Sequence, residues 1–338
     1  GRGTDAGEPP IRVGEPVTGP PVRIDGEGIG AAELVSRVVS AGRDLLARAG
    51  APRDAVPAAV CVGAAGFATL GAALRRDLPR LVGVGPAAGG GPAPGARWVL
   101  AADAVTGYAG ALGERPGVVV AAGTGMIALG TDLREWRRAD GWGHLLGDCG
   151  SGAWIGRAGL EAALRARDGR PGGSAELLRE AEELFGPAGD LPARLYPRPD
   201  RAAVLASFAP AVARCAAGPI PDPRARGIMG EAAREIAATA AAALPESLRH
   251  RDGGTTGAPA PVLALTGGLP RLGSTLTGPL REELARRLPG VREVPPAGDP
   301  LDGALLLADR AAAGGPVLPG AAGLLETRIL PPAPPGDR

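Results

Sequence analysis

The sequence contains no lysine, no asparagine and no glutamine, so all 37 residues counted as lysine or arginine are arginines. A Walker-type phosphate loop needs a lysine, and so does an enzyme that works through a Schiff base, so both classes are excluded. Only two histidines are present, which excludes a histidine-rich metal site. The formal net charge of +1 gives no electrostatic reason to expect nucleic acid or an acidic partner.

Cysteines and long apolar runs are also scarce. The three cysteines, Cys61, Cys149 and Cys215, are widely separated, and no pair has the spacing of a zinc finger or a redox motif. Cys61 falls in an apolar strand and Cys215 in a helix, where buried structural thiols are common. No apolar run is long enough to span a membrane, and we expect a cytoplasmic protein without a membrane partner.

Two strand-like runs end in residues that suit a ligand site. The run 98–102 ends at Asp103, and α/β sheets place their ligands at the carboxyl ends of buried strands. The run 117–122 ends at Gly123-Thr124-Gly125 before the chain restarts as a strand over 126–129. A Gly-Thr-Gly turn lets the backbone approach a ligand closely, and its amides and hydroxyl can hold phosphate oxygens.

A third motif follows these two. Gly141-Trp142-Gly143-His144 leads to Gly147-Asp148-Cys149-Gly150-Ser151, which opens an amphipathic helix over 151–167. The free N–H groups and the positive dipole end at the start of such a helix favour an anion. Two acidic residues and a phosphate-sized turn together suggest phosphoryl transfer to a hydroxyl group.

In the chain order Asp-Ala, Gly-Thr-Gly, Gly-Trp-Gly-His and Gly-Asp-x-Gly-Ser, these motifs resemble the N-acetylglucosamine kinase and BadF/BadG/BcrA/BcrD-type ATPase family, within the sugar kinase, heat-shock protein and actin superfamily. The resemblance runs from about Ile29 to about Gly314, and Leu265-Thr266-Gly267-Gly268 matches the superfamily's adenosine-contacting turn. It implies an α/β fold of two ribonuclease H-like domains with a nucleotide and sugar cleft between them.

The resemblance also implies a reaction, the ATP-dependent phosphorylation of an amino sugar at its 6-hydroxyl, with Mg²⁺ bridging the phosphates. The sugar would be N-acetylglucosamine or a close relative. Asp103 would then be the general base that accepts the proton of the attacking hydroxyl, because phosphoryl transfer depends mainly on positioning and charge neutralisation. The alternative is that Asp103 only caps the helix that follows it.

The other implied site residues form three groups: Gly123, Thr124 and Gly125 bind phosphate; Gly141, Trp142 and Asp148 bind the sugar; Gly267 and Gly268 contact adenosine. Each group has a structural alternative. The Gly-Thr-Gly turn could be a tight hairpin, and Trp142 could pack in a core. Asp148 could cap a helix, and the glycine pair could be an ordinary strand-to-helix turn. The metal ligands stay unassigned.

The sequence departs from the family's pattern in two places. Family members begin with a strand and an Asp-x-Gly-Gly-type phosphate turn, whereas here only Gly1 to Asp5 has similar letters, without an apolar strand before it. We therefore expect the first strand and its loop to be missing, with an open slot beside the strand predicted over 58–63 and little kinase activity in the chain as given. Cys149 stands where the family usually has glutamate, which leaves the substrate open.

The predicted domain boundary is Glu114-Arg115-Pro116. It separates an N-terminal domain over 1–114 from a C-terminal domain over 115–325. We predict a disordered Pro-rich tail over 326–338 and a polar turn over 131–140.

Two other functions stay open. A dehydratase-activator ATPase holds an iron–sulfur cluster between subunits and needs two cysteines per chain near these motifs, whereas Cys149 alone falls there. A non-catalytic sugar-binding or regulatory protein would tolerate both a missing phosphate loop and Cys149. For a kinase, the expected partners are a small-molecule sugar and ATP, and a homodimer is left open.

Overall fold

The computed structural model describes residues 14–329 except 21, 23, 26–27, 53–54, 56, 68–70, 84–96, 250–259 and 316–317. In this part of the chain the strands are β1 (Ile24–Asp25), β2 (Gly28–Ile29), β3 (Ala59–Ala64), β4 (Arg97–Ala102), β5 (Gly117–Ala122), β6 (Met126–Thr131), β7 (Trp136–Asp140), β8 (Val262–Thr266), β9 (Arg292–Glu293) and β10 (Leu325–Ile329).

The helices of the same residues are α1 (Ala31–Arg48), α2 (Ala72–Gly83), α3 (Asp103–Leu112), α4 (Gly152–Arg167), α5 (Ala175–Phe185), α6 (Leu191–Leu195), α7 (Arg201–Ser207), α8 (Ala209–Ala217), α9 (Pro223–Ala243), α10 (Glu246–Arg249), α11 (Ser274–Arg287) and α12 (Pro300–Ala313). Over the described residues, no helix combines the length and the apolar character that crossing a bilayer requires. The chain divides into two compact units, one of Gly1–Glu114 with Ala297–Arg338 and one of Arg115–Pro296.

The first unit contains a three-stranded sheet with β4 in the middle. β3 runs parallel to β4, with Cys61 opposite Val99, and β10 runs antiparallel to β4, with Leu325 opposite Ala101. Residues 98–102 are buried, as expected of an apolar run at the centre of a sheet. Among the described residues β3 forms the outer edge of this sheet.

The helix α12 packs against α3 within the first unit. Gly110 of α3 lies against the backbone of Asp299, and Gly303 of α12 lies against the backbone of Thr106, so neither position has room for a side chain. The sequence prediction placed residues 297–325 in the C-terminal domain, whereas the structure groups them with the first unit. The cause is this close helix pair, which only small residues at the contact allow.

The strand β10 corrects the prediction of a disordered tail over 326–338. It pairs with β4 along its length, and Leu325 is buried. The Glu326 carboxylate accepts hydrogen bonds from Arg75 Nε at 2.7 Å and from the Gly323 N–H at 2.9 Å. Threonine and isoleucine in this strand favour β structure, a signal that the prolines after it obscured. The rest of the predicted tail, 330–338, lies outside the described residues.

The second unit contains a five-stranded sheet in the order β7-β6-β5-β8-β9. β5, β8 and β9 run parallel, whereas β5, β6 and β7 form an antiparallel meander. The long helix α9 packs against this sheet and against α11 through small and branched side chains, of which Ala232, Ile236 and Ala240 are fully buried. Helices packed on sheets in both units confirm the predicted α/β class.

The strand β7 occupies much of the stretch predicted as a polar turn over 131–140, because it pairs antiparallel with β6. Only the short segment between the two strands forms the turn. Asp132 shapes it by accepting the N–H groups of Arg134 and Glu135 at 2.9 and 3.1 Å. A strand with this many polar residues lacks the alternation that marks a strand in sequence, so the prediction missed it.

Two helix caps of the second unit are joined by one hydrogen bond. Ser174, which is 4% exposed, caps α5 by accepting the Leu177 N–H at 3.0 Å. Asp222 caps α9 by accepting the Ala225 N–H at 2.7 Å, and its second oxygen accepts the Ser174 hydroxyl at 2.8 Å. One carboxylate therefore satisfies a helix end and a buried hydroxyl at the same time.

We expect Asp222→Ala to lower the free energy of unfolding by about 2 kcal/mol, because it removes a cap and leaves a buried hydroxyl without its acceptor. The control is Asp200→Ala, since Asp200 precedes α7 without a capping bond and only pairs with Arg198 at the surface. Its cost should stay below about 0.5 kcal/mol. Urea unfolding measures both, and equal losses in the two variants would contradict the role given to Asp222.

Candidate functional site

The two predicted nucleotide turns lie side by side at one edge of the second unit's sheet. β5 and β8 are parallel neighbours, with Ala121 opposite Thr266, so the residues that follow them emerge at the same edge. Gly267 has a φ of +90°, and a side chain there would collide with the backbone oxygen of Ala122. Gly268 follows it, is exposed and begins a short 3₁₀ turn. The predicted phosphate turn and the predicted adenosine turn are therefore adjacent.

The turn Gly123-Thr124-Gly125 is tied to the start of α4. The Gly152 N–H donates to the Gly123 oxygen at 2.8 Å, and the Ala153 N–H donates to the Thr124 oxygen at 3.1 Å. Thr124 is exposed. The turn closes a tight hairpin, the structural alternative, since β5 and β6 pair antiparallel with Ala122 opposite Met126. Neither glycine of the turn has a positive φ, so the backbone of the hairpin does not itself require glycine at these positions. A Cβ at Gly123 would meet nothing within 4 Å, which leaves room for a ligand against the backbone.

Asp148 packs its carboxylate directly against this turn. A Cβ at Gly125 would lie 2.7 Å from Asp148 Oδ2, so Gly125 owes its lack of a side chain to this contact. The other oxygen, Oδ1, accepts the Gly143 N–H at 3.2 Å. Asp148 is 8% exposed and has a φ of +53°. The predicted sugar carboxylate and the predicted phosphate turn are thus in direct contact.

Ser151, and not Asp148, caps the helix α4. The Ser151 hydroxyl accepts the Trp154 N–H at 3.1 Å, and the Ser151 N–H donates to the Asp148 backbone oxygen at 3.0 Å. The alternative in which Asp148 serves as a helix cap is therefore wrong. The contacts of the Asp148 carboxylate, with Gly143 and Gly125, are therefore separate from the capping of α4.

Asp140, which the sequence prediction did not single out, holds the backbone of this loop. Its Oδ1 accepts the Asp148 N–H at 2.7 Å and its Oδ2 accepts the Cys149 N–H at 2.9 Å. Gly147 lies so close to the Asp140 carboxylate that it has no room for a side chain. One signal in the sequence could have pointed to it, an aspartate directly before glycine, which is a common turn pair.

Trp142 is 66% exposed, so the alternative in which it packs in a core is wrong. The Arg138 guanidinium carbon lies 4.8 Å from the centroid of the Trp142 ring. Arg138 also donates to the backbone oxygens of Asp140 at 3.1 Å and Gly141 at 2.6 Å. Gly141 itself has a φ of +76° and packs against Ile127. Arg138 therefore holds one face of the ring and leaves the Trp142 side chain largely open to solvent.

The electrostatics of the loop favour protonated groups. Burial raises the pKa of Asp148, and the neighbouring Asp140 charge raises it further, while the Gly143 and Met126 amides and His144 lower it. The pKa of the Cys149 thiol is raised as well, mainly by burial and then by Asp140, Glu235 and Asp148. A raised thiol pKa means that Cys149 is uncharged at neutral pH.

All three thiols should react slowly with iodoacetamide in the native protein. Burial raises the pKa of Cys61 to about 12 and that of Cys215 to about 11, so few of these groups are thiolates at neutral pH. Because the thiolate is the nucleophile, we expect unfolding in urea to speed the labelling of Cys61 and Cys215 by about 10²-fold or more. Mass spectrometry of the labelled peptides measures each site, and rapid labelling of native Cys149 would contradict its raised pKa.

Asp103 lies in the first unit, directly after β4. It is the first residue of α3, it is exposed, and its Oδ1 accepts the Ala104 N–H at 2.9 Å. Ala102 occupies the cap position and has no side-chain capping bond. The carboxylate is therefore placed at the carboxyl end of a buried strand, as predicted, and contributes little to holding the helix.

The described residues contain no group of three or more histidine, cysteine, aspartate or glutamate side chains that could hold a metal ion. Mg²⁺ in phosphoryl-transfer sites is usually held by substrate phosphates and waters with only one or two carboxylates. A Mg²⁺ that enters with ATP would not need such a group of protein ligands.

Comparison with known proteins shows the family to which the chain is related. The model of the BadF/BadG/BcrA/BcrD ATPase family matches residues 22–308. A curated relative, the N-acetylmuramic acid/N-acetylglucosamine kinase of Clostridium acetobutylicum, is 42% identical over 74 residues. That match covers 21% of this chain and 24% of the relative, so the chain spans about a quarter of the length of the curated relative.

Two solved structures resemble most of the chain. One, from Chromobacterium violaceum and provisionally named an N-acetylglucosamine kinase, is 29% identical with a TM-score of 0.58, covering 82% of this chain and 85% of its own. The other, from Porphyromonas gingivalis and named in the same provisional way, is 19% identical with a TM-score of 0.53, covering 82% and 84%. At that identity the second likeness shows the fold alone.

Proposed function

Because the chain belongs to the BadF/BadG/BcrA/BcrD ATPase family, we propose that it is an ATP-dependent sugar kinase that phosphorylates an amino sugar at its 6-hydroxyl. N-acetylglucosamine, or a close relative of it, is the proposed substrate. The similarity to the Chromobacterium violaceum structure and to the Clostridium acetobutylicum kinase supports this choice of sugar.

The observation that carries the proposal is the contact between Asp148 and Gly125. A carboxylate accepts hydrogen bonds from two hydroxyls at once, which suits it to a sugar. The turn beside it offers the open backbone of Gly123 and the exposed Thr124 hydroxyl to phosphate. A site for hydroxyls next to a site for phosphate is the arrangement that transfer between them needs.

In the proposed reaction Asp148 accepts hydrogen bonds from sugar hydroxyls and orients the ring. Asp103 takes the proton of the 6-hydroxyl as its oxygen bonds to the γ-phosphorus. The bond from that phosphorus to the bridging oxygen breaks, and ADP leaves. The Gly123–Gly125 turn stabilises charge on the phosphate oxygens, and Gly267 and Gly268 let adenosine lie against the backbone. Mg²⁺, when bound with ATP, neutralises phosphate charge.

A panel of hexosamines and hexoses, with N-acetylmuramic acid among them, tests the proposal in a coupled assay of ADP release. Any ADP release should appear with N-acetylglucosamine or a near relative and not with hexoses, and because the sequence predicts little turnover in the chain as given, sugar binding is the primary measurement. Calorimetry with the same sugars, with and without a non-hydrolysable ATP analogue, gives binding independently of turnover. Sugar binding without ADP release would favour a non-catalytic sugar-binding protein, and no binding of any amino sugar would contradict the proposal.

We expect Asp148→Asn to raise the Kd for N-acetylglucosamine by about 10-fold or more, because it removes a charged acceptor of hydroxyl hydrogen bonds. Asparagine tolerates the left-handed backbone at this position, so the loop should keep its path. Asp132→Asn is the matched control, since that carboxylate organises the turn before β7. Calorimetry measures both, and an unchanged Kd in the Asp148 variant would remove Asp148 from the site.

The iron–sulfur alternative receives no support from the site. Thiolates are the cluster ligands, whereas the pKa of Cys149 is raised. Among the described residues no cluster of metal donors includes it. Purified protein is accordingly expected to be colourless, and absorbance in the visible range checks this directly.

A further inference from the structure

We propose that Asp140 is a positioning residue of the sugar site, which holds the Asp148 carboxylate in place beside Gly125. This inference rests on the proposed function, because it takes Asp148 as the group that binds the sugar. It adds a residue that the motifs did not contain, at the end of an edge strand whose existence the sequence did not reveal.

Asp140 holds the loop through a pair of hydrogen bonds. Both oxygens of Asp140 are engaged, one by the Asp148 N–H at 2.7 Å and one by the Cys149 N–H at 2.9 Å. Two adjacent amides are thus held by one carboxylate, and Gly147 leaves no free space beside it. Each oxygen of Asp140 therefore already holds a backbone N–H of the loop, which assigns this carboxylate to the loop's backbone.

These hydrogen bonds stabilise two residues with left-handed backbone conformations. Asp140 has a φ of +57° and Asp148 a φ of +53°, and both lie in the left-handed region that non-glycine residues seldom adopt. Such conformations persist only where the surroundings determine them, and they gather at functional sites. Arg138 fixes the first of them by donating to the Asp140 and Gly141 oxygens. Asp140 fixes the second through its bond to the Asp148 N–H.

The left-handed backbone at residue 148 determines where the Asp148 carboxylate lies. With residue 148 left-handed, the carboxylate turns back toward the meander, where Oδ1 meets the Gly143 N–H and Oδ2 lies over Gly125. A relaxed backbone at 148 would carry the carboxylate away from the turn. Misplacement of a binding group by about 1 Å can cost about 10²-fold in rate. The two hydrogen bonds that Asp140 accepts from the Asp148 and Cys149 amides therefore matter for the proposed function.

The charge of Asp140 has a separate effect, which gives the test a second readout. The titratable groups near Asp148 are Asp140, His144 and Cys149, while Glu235 on α9 and Arg157 on α4 act on Cys149. Of these, Asp140 adds a negative charge that opposes ionisation of Asp148. Removing that charge should lower the pKa of Asp148 and extend sugar binding to lower pH, since the ionised carboxylate is the better acceptor.

The test is calorimetry of N-acetylglucosamine binding to the whole chain over a range of pH, for the unsubstituted protein and for three variants. At pH values above the pKa of Asp148, Asp140→Asn should raise the Kd by about 10-fold. It should also move the acid limb, which is the low-pH range where binding weakens as Asp148 is protonated, to lower pH. Arg138→Met should raise the Kd but leave the acid limb in place, because the Asp140 charge remains. Asp132→Asn should change the Kd by less than about two-fold and leave the limb unmoved.

The outcomes separate this inference from the proposed function. If the unsubstituted chain binds no amino sugar at any pH, the proposed function fails and the inference fails with it. If it binds, and Asp140→Asn keeps both the Kd and the acid limb, only the inference is overturned. If the Asp140 variant unfolds, then an unchanged Kd in Arg138→Met overturns it. A raised Kd in that variant, with the limb unmoved and the fold retained by circular dichroism, supports it.

Discussion

Asp103→Ala is expected to lower ADP release in the presence of N-acetylglucosamine by about 10²-fold or more, which is the loss that follows removal of a general base. Sugar binding should change by less than about two-fold, because Asp103 is assigned to the proton of the hydroxyl and not to ring recognition. The fold should tolerate the change well, since the carboxylate is exposed and, within the part of the chain that the structure describes, accepts a hydrogen bond from the neighbouring Ala104 N–H alone. Coupled turnover and calorimetry on the same preparation measure the two effects.

The matched control is a second carboxylate at the start of a helix in the same unit. Asp299 accepts the N–H groups of Leu301 and Asp302 at 2.8 and 3.0 Å and forms a capping box with Asp302. Asp299→Ala should cost about 1 kcal/mol of stability and leave turnover unchanged. Asp103→Asn should match Asp103→Ala in turnover, because an amide accepts no proton. Turnover within a few-fold of the unsubstituted chain in both Asp103 variants would remove the base assignment.

The parts of the site that the sequence predicts best are those where a strand ends in a chemically informative residue. Asp103 directly follows β4, the Gly-Thr-Gly turn directly follows β5, and the glycine pair directly follows β8, all as predicted. These segments are short and apolar, and each is followed at once by its candidate site residues, so local pattern suffices to place them. That two of the turns are neighbours follows from the parallel pairing of β5 with β8.

What the sequence could not predict depends on contacts between distant parts of the chain. The return of α12 and β10 to the first unit rests on pairs such as Arg75 with Glu326, which no local pattern encodes. The role of Asp140 depends on two amides in the following loop, and hence on the register of β7. Trp142 looks like a core residue by hydrophobicity, yet it is exposed. Whether a tryptophan is buried depends on the tertiary position of its loop, which the sequence of the loop does not determine.

The two glycines of the proposed phosphate turn allow a matched pair of substitutions, one expected to weaken sugar binding and the other to weaken ATP binding. Gly125→Ala would place a Cβ 2.7 Å from Asp148 Oδ2, closer than such atoms approach, so the carboxylate must move. We expect kcat/KM for N-acetylglucosamine to fall by about 10²-fold, chiefly through weaker sugar binding. Gly123→Ala places its Cβ in open space, at a residue whose φ is not left-handed. Its fold should be retained, with a gain of about 0.4–1 kcal/mol in stability from the stiffer unfolded chain.

The two variants separate the two proposed functions of the turn, which are to bind phosphate at Gly123 and to leave room for the Asp148 carboxylate at Gly125. If phosphate lies against the backbone of Gly123, the added methyl in Gly123→Ala must occupy its place, and the KM for ATP should rise by about 10-fold while the Kd for sugar stays the same. Gly125→Ala should instead weaken sugar binding even when no nucleotide is present, because it displaces Asp148. Calorimetry with sugar alone, and turnover at varied ATP, measure the two effects independently. A stable Gly123 variant with an unchanged KM for ATP would show that the turn does not bind phosphate, and the assignment of Gly123, Thr124 and Gly125 would then fail.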